Sequence, residues 1–329
     1  MRKILVTGGA GFIGSNFVQH MLKYHTDCMI TVLDKLTYAG SLTHLQQVAH
    51  HSRFCFMQGD ICDASRVNEA MYDCDTVVHF AAETHVDRSI ADPGIFVMTD
   101  VYGTYTLLEA ARLKGVTLFI HISTDEVYGN ACSPAGISRP SLEEDALMPL
   151  SPYAASKAAA DRLAFSYWAT YGLPIVIMRC SNNYGPYQHP EKQLPLFIIH
   201  ALIGCPLPIY GDGTHTREWI HVRDHCSALD LVLHAPGELV YGEVFNVGSG
   251  EERTILENAR AVLQLLNCSE GLLVSVSDRP GHARRHAVNS EKLRRVLGWK
   301  PTIDFMTGLR ETISWYQDQL DHSETVFPF

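Results

Sequence analysis

A doubly wound α/β parallel sheet with a smaller, interleaved C-terminal α/β lobe is the predicted fold, on three observations. Short, β-branched apolar runs alternate with helical patterns over the first 180 residues. The runs are continuously apolar rather than alternating, which implies burial on both faces and hence a parallel sheet covered by helices. After residue 181 the texture changes to Pro-, Gly-, Tyr- and Asn-rich segments, which mark the start of the smaller lobe.

The first strand is KILVT (3–7), followed by an amphipathic helical pattern over 12–24. MITVLD (29–34) and RFCFMQ (53–58) are the next strands. A helix near 64–71 precedes TVVHF (76–80), and a long helical pattern over 94–114 precedes TLFIHIS (117–123). Ser151 and Pro152 suit the cap and first turn of a helix over 153–171, which leads into PIVIMRC (174–180). Residues 182–220 read as loops with one helix near 193–203, and EVFNVG (243–248) returns to the sheet. Later helical patterns span 254–266, 290–297 and 305–320. The sheet domain is therefore expected to hold 1–181 plus about 221–248, and the lobe 182–220 plus 249–329.

The 329-residue chain carries a net charge of -10, from 26 basic and 36 acidic residues. Its repulsive field argues against nucleic acid or an anionic membrane as partner. A small anionic ligand stays compatible, because a few pocket arginines override the average. The nine cysteines are odd in number and show no C-x-x-C spacing, so free thiols and a reducing compartment are expected. The N-terminus enters a strand without a signal-peptide pattern, and no apolar run approaches the roughly 20 residues of a membrane span. The expected location is cytoplasmic.

TGGAGFIG places Gly8, Gly11 and Gly14 directly after the first strand and at the opening of a helix. Such glycines let the backbone approach a pyrophosphate seated at the positive helix end, the fingerprint of a Rossmann-type dinucleotide site. Asp34 ends the second strand about 20 residues further on, where an acid binds the adenosine ribose hydroxyls. A carboxylate there repels a 2′-phosphate, which favours NAD over NADP, although Lys35 beside it leaves the preference open. Asp60 reads either as an adenine contact or as an ordinary turn aspartate.

SPYAASK sets Tyr153 and Lys157 four residues apart on one helix face. An ammonium near a phenol favours the phenolate and lowers its pKa from about 10. Such a tyrosine can take a proton from a substrate hydroxyl as hydride leaves the same carbon.

TGGAGFIG, HFAAETHVDRS, STDEVYG, YAASK and SNNYGPY together resemble the extended short-chain dehydrogenase/reductases of the nucleotide-sugar branch. More narrowly, LDKLTYAG, STDEVYG, PEKQLP, PLPIYGDG, REWIHVRDH and DRPGHARR resemble the dTDP-glucose 4,6-dehydratase family, from residue 1 to about 317. The resemblance implies a cofactor site completed by Phe12, Ile13, Leu36, Thr37, Ile61, Ala81, Ala82, Thr99 and Asn183. It also implies a homodimer built through the helices at 94–114 and 153–171.

Removing water across C5–C6 of a hexose needs a base for the C5 proton and an acid for the departing C6 hydroxyl, after oxidation at C4 has acidified C5. Two neighbouring carboxyls with separated pKa values supply both roles. The resemblance implies Glu126 as base and Asp125 as acid, with Thr124 bonding the C4 oxygen beside Tyr153. NAD is then a retained cofactor, and its hydride returns to C6. The acids of EED (143–145) read as solvated.

Arg217 and Arg279 suit a diphosphate, which a forked guanidinium matches in shape. The resemblance adds Asn182, Lys192, Gln193, Pro208, Ile209, Tyr210, Asn246 and His282 as substrate contacts, with Thr84 and His85 near the sugar. Gln193, Ala283 and His286 depart from the family pattern and leave the base and phosphate contacts open. His221 and His225 lack a third ligand, so no metal is expected, and both read as packing residues on a short helix. The remaining alternatives are another nucleotide-glucose 4,6-dehydratase, a nucleotide-sugar 4-epimerase and a non-catalytic NAD-binding scaffold.

Overall fold

The computed structural model describes residues 1–131 and 137–322. Cys132 and the expected lobe beyond residue 322 lie outside them. β1 (Arg2–Thr7) runs into α1 (Phe12–Tyr24), then β2 (Cys28–Asp34), β3 (Phe54–Gln58), α2 (Ala64–Ala70) and β4 (Thr76–His79). α3 (Val86–Ala91), α4 (Pro93–Phe96), a π-helical turn over Val97–Gly103 and α5 (Thr104–Lys114) lead to β5 (Leu118–Thr124). α6 (Pro152–Tyr171), β6 (Ile175–Cys180), β7 (Asn182–Tyr184), α7 (Gln193–Leu202), β8 (Leu207–Tyr210) and β9 (Thr216–His221) follow. α8 (Val222–His234) and α9 (Gly237–Val240) precede β10 (Val244–Val247). Last come β11 (Glu252–Thr254), α10 (Ile255–Leu265), β12 (Leu273–Val276), β13 (Arg285–His286), α11 (Glu291–Leu297) and α12 (Phe305–His322).

Seven strands make one parallel sheet in the order β10-β6-β5-β4-β1-β2-β3. Successive residues of β1 feed opposite cores: Ile4 and Val6 pack with Phe17 of α1 and Leu229 of α8, whereas Leu5 packs with Val67 of α2 and Leu107 of α5. Burial on both faces is why the strands read as unbroken apolar runs. Winding reverses between β3 and β4, so β4 lies beside β1. Their carboxyl ends flank the crevice where ligands of such sheets bind.

α6 begins and ends as its sequence dictates. Ser151 Oγ accepts the Ala154 N–H at 3.1 Å, Pro152 occupies the first turn, and Gly172 closes the helix at φ 69°. The helix expected over 94–114 is instead broken by the π turn. Gly103 there lies against Ile61, where an added Cβ would stand 2.5 Å from Cδ1. Asp100, in the same turn, is buried.

The segment 182–220, expected as loops around one helix, also holds three strands. β9 pairs with β7, β11 and β13, and β8 pairs with β12. These strands share a third core with α7, α10 and α12. α8 is a full helix of 13 residues rather than a short one.

Candidate active site

A cleft of about 320 Å³ opens along the carboxyl edge of the sheet. Its dinucleotide end is built by the turn between β1 and α1. Gly8 has φ 70° and stands where a Cβ would meet the Ala81 nitrogen at 2.6 Å, and a Cβ on Gly14 would meet the Gly8 oxygen at 2.3 Å. No side chain caps α1 and its first turn carries no acid, so its positive end faces the cleft unneutralised. The Asp34 carboxylate accepts the N–H groups of Ala10 and Leu36, each at 2.8 Å, and burial raises its pKa. Lys35 pairs with Asp60 at 2.7 Å, so the positive charge beside Asp34 is already matched. Asp60 is a turn aspartate whose Oδ1 accepts the Cys62 N–H at 2.9 Å, and it also lines the cleft. Phe12, Ile13, Thr37, Ile61, Ala81, Ala82, Thr99 and Asn183 also line this wall, as do Gly11 and Lys35. A glycine cradle, a bare helix end and an acid with its neighbouring lysine neutralised fit NAD. Leu36 does not face the cleft; its side chain packs on the core beneath α1, at φ 57°.

α6 brings Tyr153 and Lys157 to the cleft beside Thr124, the last residue of β5. The Lys157 ammonium donates to the Ile122 carbonyl at 2.7 Å, and burial lowers its pKa. The phenol of Tyr153 is hydrogen-bonded to Thr124. Its pKa moves opposite to the direction the helical spacing predicts. Burial, then the Glu126 and Asp100 carboxylates, raise it well above 10.

Asp125 and Glu126 open a 3₁₀ turn whose N-cap is Thr124, with Thr124 Oγ1 accepting the Glu126 N–H at 3.3 Å. The turn sends the neighbours to different places. Glu126 is half-exposed and lines the cleft, whereas Asp125 is buried just behind the wall. Burial, reinforced by Glu126 and Glu218, raises the Asp125 pKa well above the ordinary carboxylate value, which favours its protonated form. Its Oδ1 accepts from the Thr124 hydroxyl at 3.3 Å, and its Oδ2 has no partner among the described residues.

Beyond Glu126 lies a second, smaller pocket lined by Arg217, Arg279, His282, Ala283 and His286. Glu126 borders both spaces. Arg217 is buried and Arg279 half-buried, placing two guanidiniums around one recess. Thr84, Asn182, Lys192 and Gln193 line the main cleft, and Lys192 also donates to the Thr84 carbonyl.

Other expected contacts fall outside both pockets. Asn246 is fully buried: its Nδ2 donates to the Ser141 carbonyl at 3.0 Å, and its Oδ1 accepts from the Tyr128 hydroxyl at 2.8 Å. It is a core residue and lines neither pocket. His85 caps α3 by accepting the Arg88 N–H. Ile209 is buried in the third core; Pro208 lies beside it on β8, and Tyr210 stands beneath Arg279, 5.9 Å from ring centroid to guanidinium. Neither Glu143 nor Asp145 is freely solvated: Glu143 accepts the Asn246 N–H at 2.9 Å, and Asp145 grips Arg139 at 2.7 Å. His221 caps α8 and His225 meets Asn183 Oδ1 at 3.0 Å, with burial lowering their pKa values to about 3 and about 4.

Sequence reasoning missed Glu83, Gln188, His189 and Trp219 in the cleft wall, and Asp100 behind it. Asp100 was detectable, as the only acid between Asp92 and Glu109 in a largely apolar stretch.

The GDP-mannose 4,6 dehydratase family model matches residues 5–312. The dTDP-glucose 4,6-dehydratase of Streptomyces niveus is 46% identical over 96% of this chain and 93% of its own. The dTDP-glucose 4,6-dehydratase of Streptomyces venezuelae, solved with NAD bound, superposes with a TM-score of 0.93 at 45% identity, covering 98% of this chain and 99% of that one. A UDP-glucuronic acid 4-epimerase of Bacillus cereus superposes with a TM-score of 0.90 at 30% identity, covering 96% and 99%. This chain belongs to the dTDP-glucose 4,6-dehydratase family, within the extended short-chain dehydrogenase/reductases.

Proposed function

We propose that this chain is an NAD-dependent hydro-lyase that converts dTDP-glucose to dTDP-4-keto-6-deoxyglucose and water. The observation that carries the reading is the split between two adjacent carboxyls: Asp125 is buried with its pKa raised, and Glu126 faces the cleft beside Tyr153. A simple dehydrogenase or a 4-epimerase has no step that uses both.

NAD supplies a hydride acceptor for C4 and then the donor for C6. Tyr153, bonded to Thr124, would take the 4-hydroxyl proton as the phenolate, a form that the positive charges of Lys157 and of bound NAD would favour. Glu126 removes the C5 proton, which the C4 ketone has acidified. Asp125 gives its proton to the C6 hydroxyl, which leaves as water. Its unpartnered Oδ2 keeps that carboxyl free of a competing bond. Lys192, Asn182 and Gln193 hold the sugar side, and Arg217 and Arg279 the diphosphate, as their shared pocket across Glu126 supports.

The NAD-binding unit takes 1–181 plus about 221–248, which contains the large sheet. The nucleotide-sugar lobe takes 182–220 and 249 onward. A homodimer forms through the segments 94–114 and 153–171. Ile95, Val97, Met98, Tyr102, Tyr105 and Phe165 are exposed there, an apolar surface suited to a partner. Among the described residues no helix is long and apolar enough to cross a membrane, and the enzyme works in the cytoplasm.

Incubating the purified protein with NAD and dTDP-glucose should yield a product with the alkaline absorbance of a 4-keto-6-deoxy sugar. No such product from dTDP-, UDP- or GDP-glucose would refute the assignment. Product from UDP-glucose alone would move it to another nucleotide. Sedimentation that finds only monomer at micromolar concentration would remove the dimer.

A further inference from the structure

Where α1 packs on α8, away from the cleft, three imidazoles surround one carboxylate. His20 Nε2 and His25 Nε2 each stand 2.9 Å from Asp230 Oδ2. His234 Nδ1 lies 2.8 Å from the other oxygen, and its ring stacks on His25 with centroids 4.5 Å apart. We propose that His20, His25 and Asp230 form a binding site for a divalent transition metal, with His234 orienting the carboxylate.

The donor set is two imidazole nitrogens and a carboxylate oxygen, the borderline ligands that zinc and its neighbours take. Their ligand atoms all lie within 4.8 Å of one another. Tetrahedral zinc with bonds of about 2.0–2.2 Å sets its ligands roughly 3.3–3.6 Å apart. The two nitrogens therefore need only draw back from Asp230 Oδ2 by a few tenths of an ångström. All three side chains are partly exposed, at 17%, 24% and 20%, so an ion enters from solvent and a water completes its coordination. His234 Nδ1 is bonded to the Asp230 backbone carbonyl at 2.9 Å and stands 2.8 Å from Oδ1, where it holds a ligating carboxylate in place.

Backbone geometry explains how five-residue spacing on α1 converges. His25 is the first residue past the helix, with extended φ -122° and ψ 135°, which turns its ring back toward His20. Asp230 and His234 sit one turn apart on α8. The ligands are 210 and 205 residues apart in sequence, so no linear motif signals them.

A second cluster, His215, Asp278 and His282, has a similar donor set. It lies beside Arg217, Arg279 and Arg284, whose charges oppose a cation. That cluster serves as an internal control. None of the Asp230 group lines the cleft, so the ion acts on stability, by clamping α1 to α8, and not on turnover.

The test uses the NAD-loaded full chain, stripped by chelator, dialysed and titrated with Zn²⁺ by calorimetry and with Co²⁺ by visible absorption. One equivalent of Zn²⁺ should bind at micromolar concentration, and Co²⁺ should develop ligand-field bands. At Zn²⁺ 100-fold above its dissociation constant the Tm should rise by roughly 5 °C. His25→Gln and, separately, His20→Gln should abolish binding and the Tm shift while leaving turnover within about twofold. His282→Gln should leave binding unchanged. Absence of Zn²⁺ binding at micromolar concentration, its survival in His25→Gln, or its loss in His282→Gln would overturn the site.

Discussion

The Ser156 hydroxyl donates to Asp100 Oδ2 at 2.6 Å, while Asp100 Oδ1 accepts the Glu83 backbone N–H at 2.8 Å. A buried carboxyl thus stands behind the Tyr153–Lys157 pair. Burial, working against the attraction of Lys157, moves its pKa from 3.8 up to about 6. Between those values the native chain binds the proton more firmly than the unfolded chain does. The stability that this group contributes is complete below about pH 4 and is lost as pH rises through about 6, a change on the order of 3 kcal/mol. Asp100→Asn should remove that decline. Urea unfolding at acid and neutral pH should show the variant gaining on the parent as pH rises. An identical pH dependence in both proteins would show that Asp100 does not titrate this way.

Tyr153→Phe should lower turnover by roughly 10²–10⁴-fold, the usual worth of a positioned acid–base group. The ring keeps its edge contact with Phe96, 6.3 Å between centroids, so fold and NAD retention should persist. A drop smaller than tenfold would remove the phenol from the proton path.

Asp125→Asn replaces a buried carboxyl, whose raised pKa favours the neutral form, by a neutral amide of the same shape. Stability should change by less than about 1 kcal/mol, whereas product formation should fall by roughly 10²–10⁴-fold. The double variant Asp125→Asn, Glu126→Gln should still reduce bound NAD with dTDP-glucose, seen as near-ultraviolet absorbance, and release no 4-keto-6-deoxy sugar. Equal loss of both steps, with the cofactor retained, would end the proposed division between oxidation and elimination.

Gly14→Ala sets a methyl 2.3 Å from the Gly8 oxygen and must displace the phosphate turn. NAD affinity should fall at least about tenfold, which is about 1.4 kcal/mol, and cofactor titration measures it. Unchanged affinity would mean that the turn can open without harm.

The large sheet was legible because its inner strands β1, β4, β5 and β6 are largely buried on both faces, which leaves an unbroken apolar signature; edge strand β3 has no fully buried residue. α6 was legible through Ser151, Pro152 and Gly172. The lobe strands were not, since β9 reads TREWIH and hides Arg217, Glu218 and His221 in the interior. Only its partners β7, β11 and β13, distant in sequence, make those residues a strand. Glu218 finds its bonds on Val288 and Gly250, 70 and 32 residues away. Asn246, expected at the substrate from the resemblance alone, is bonded to Ser141 and Tyr128, more than 100 residues away, which no local pattern reports. The Tyr153–Lys157 spacing was plain, but the direction of the phenol pKa depends on burial and on Asp100, which helical spacing does not report.

The π turn at Val97–Gly103 has a consequence for how this protein tolerates insertion and deletion. Its neighbours Thr99 and Asp100 serve separate compartments, one the cleft wall and the other the buried carboxyl site. Removing one residue from the turn would replace its i→i+5 bonding by the α-helical i→i+4, so that Thr99 and Asp100 could not both keep their present directions. The chain length here is therefore a setting of the active site, fixed as firmly as any side chain that touches substrate.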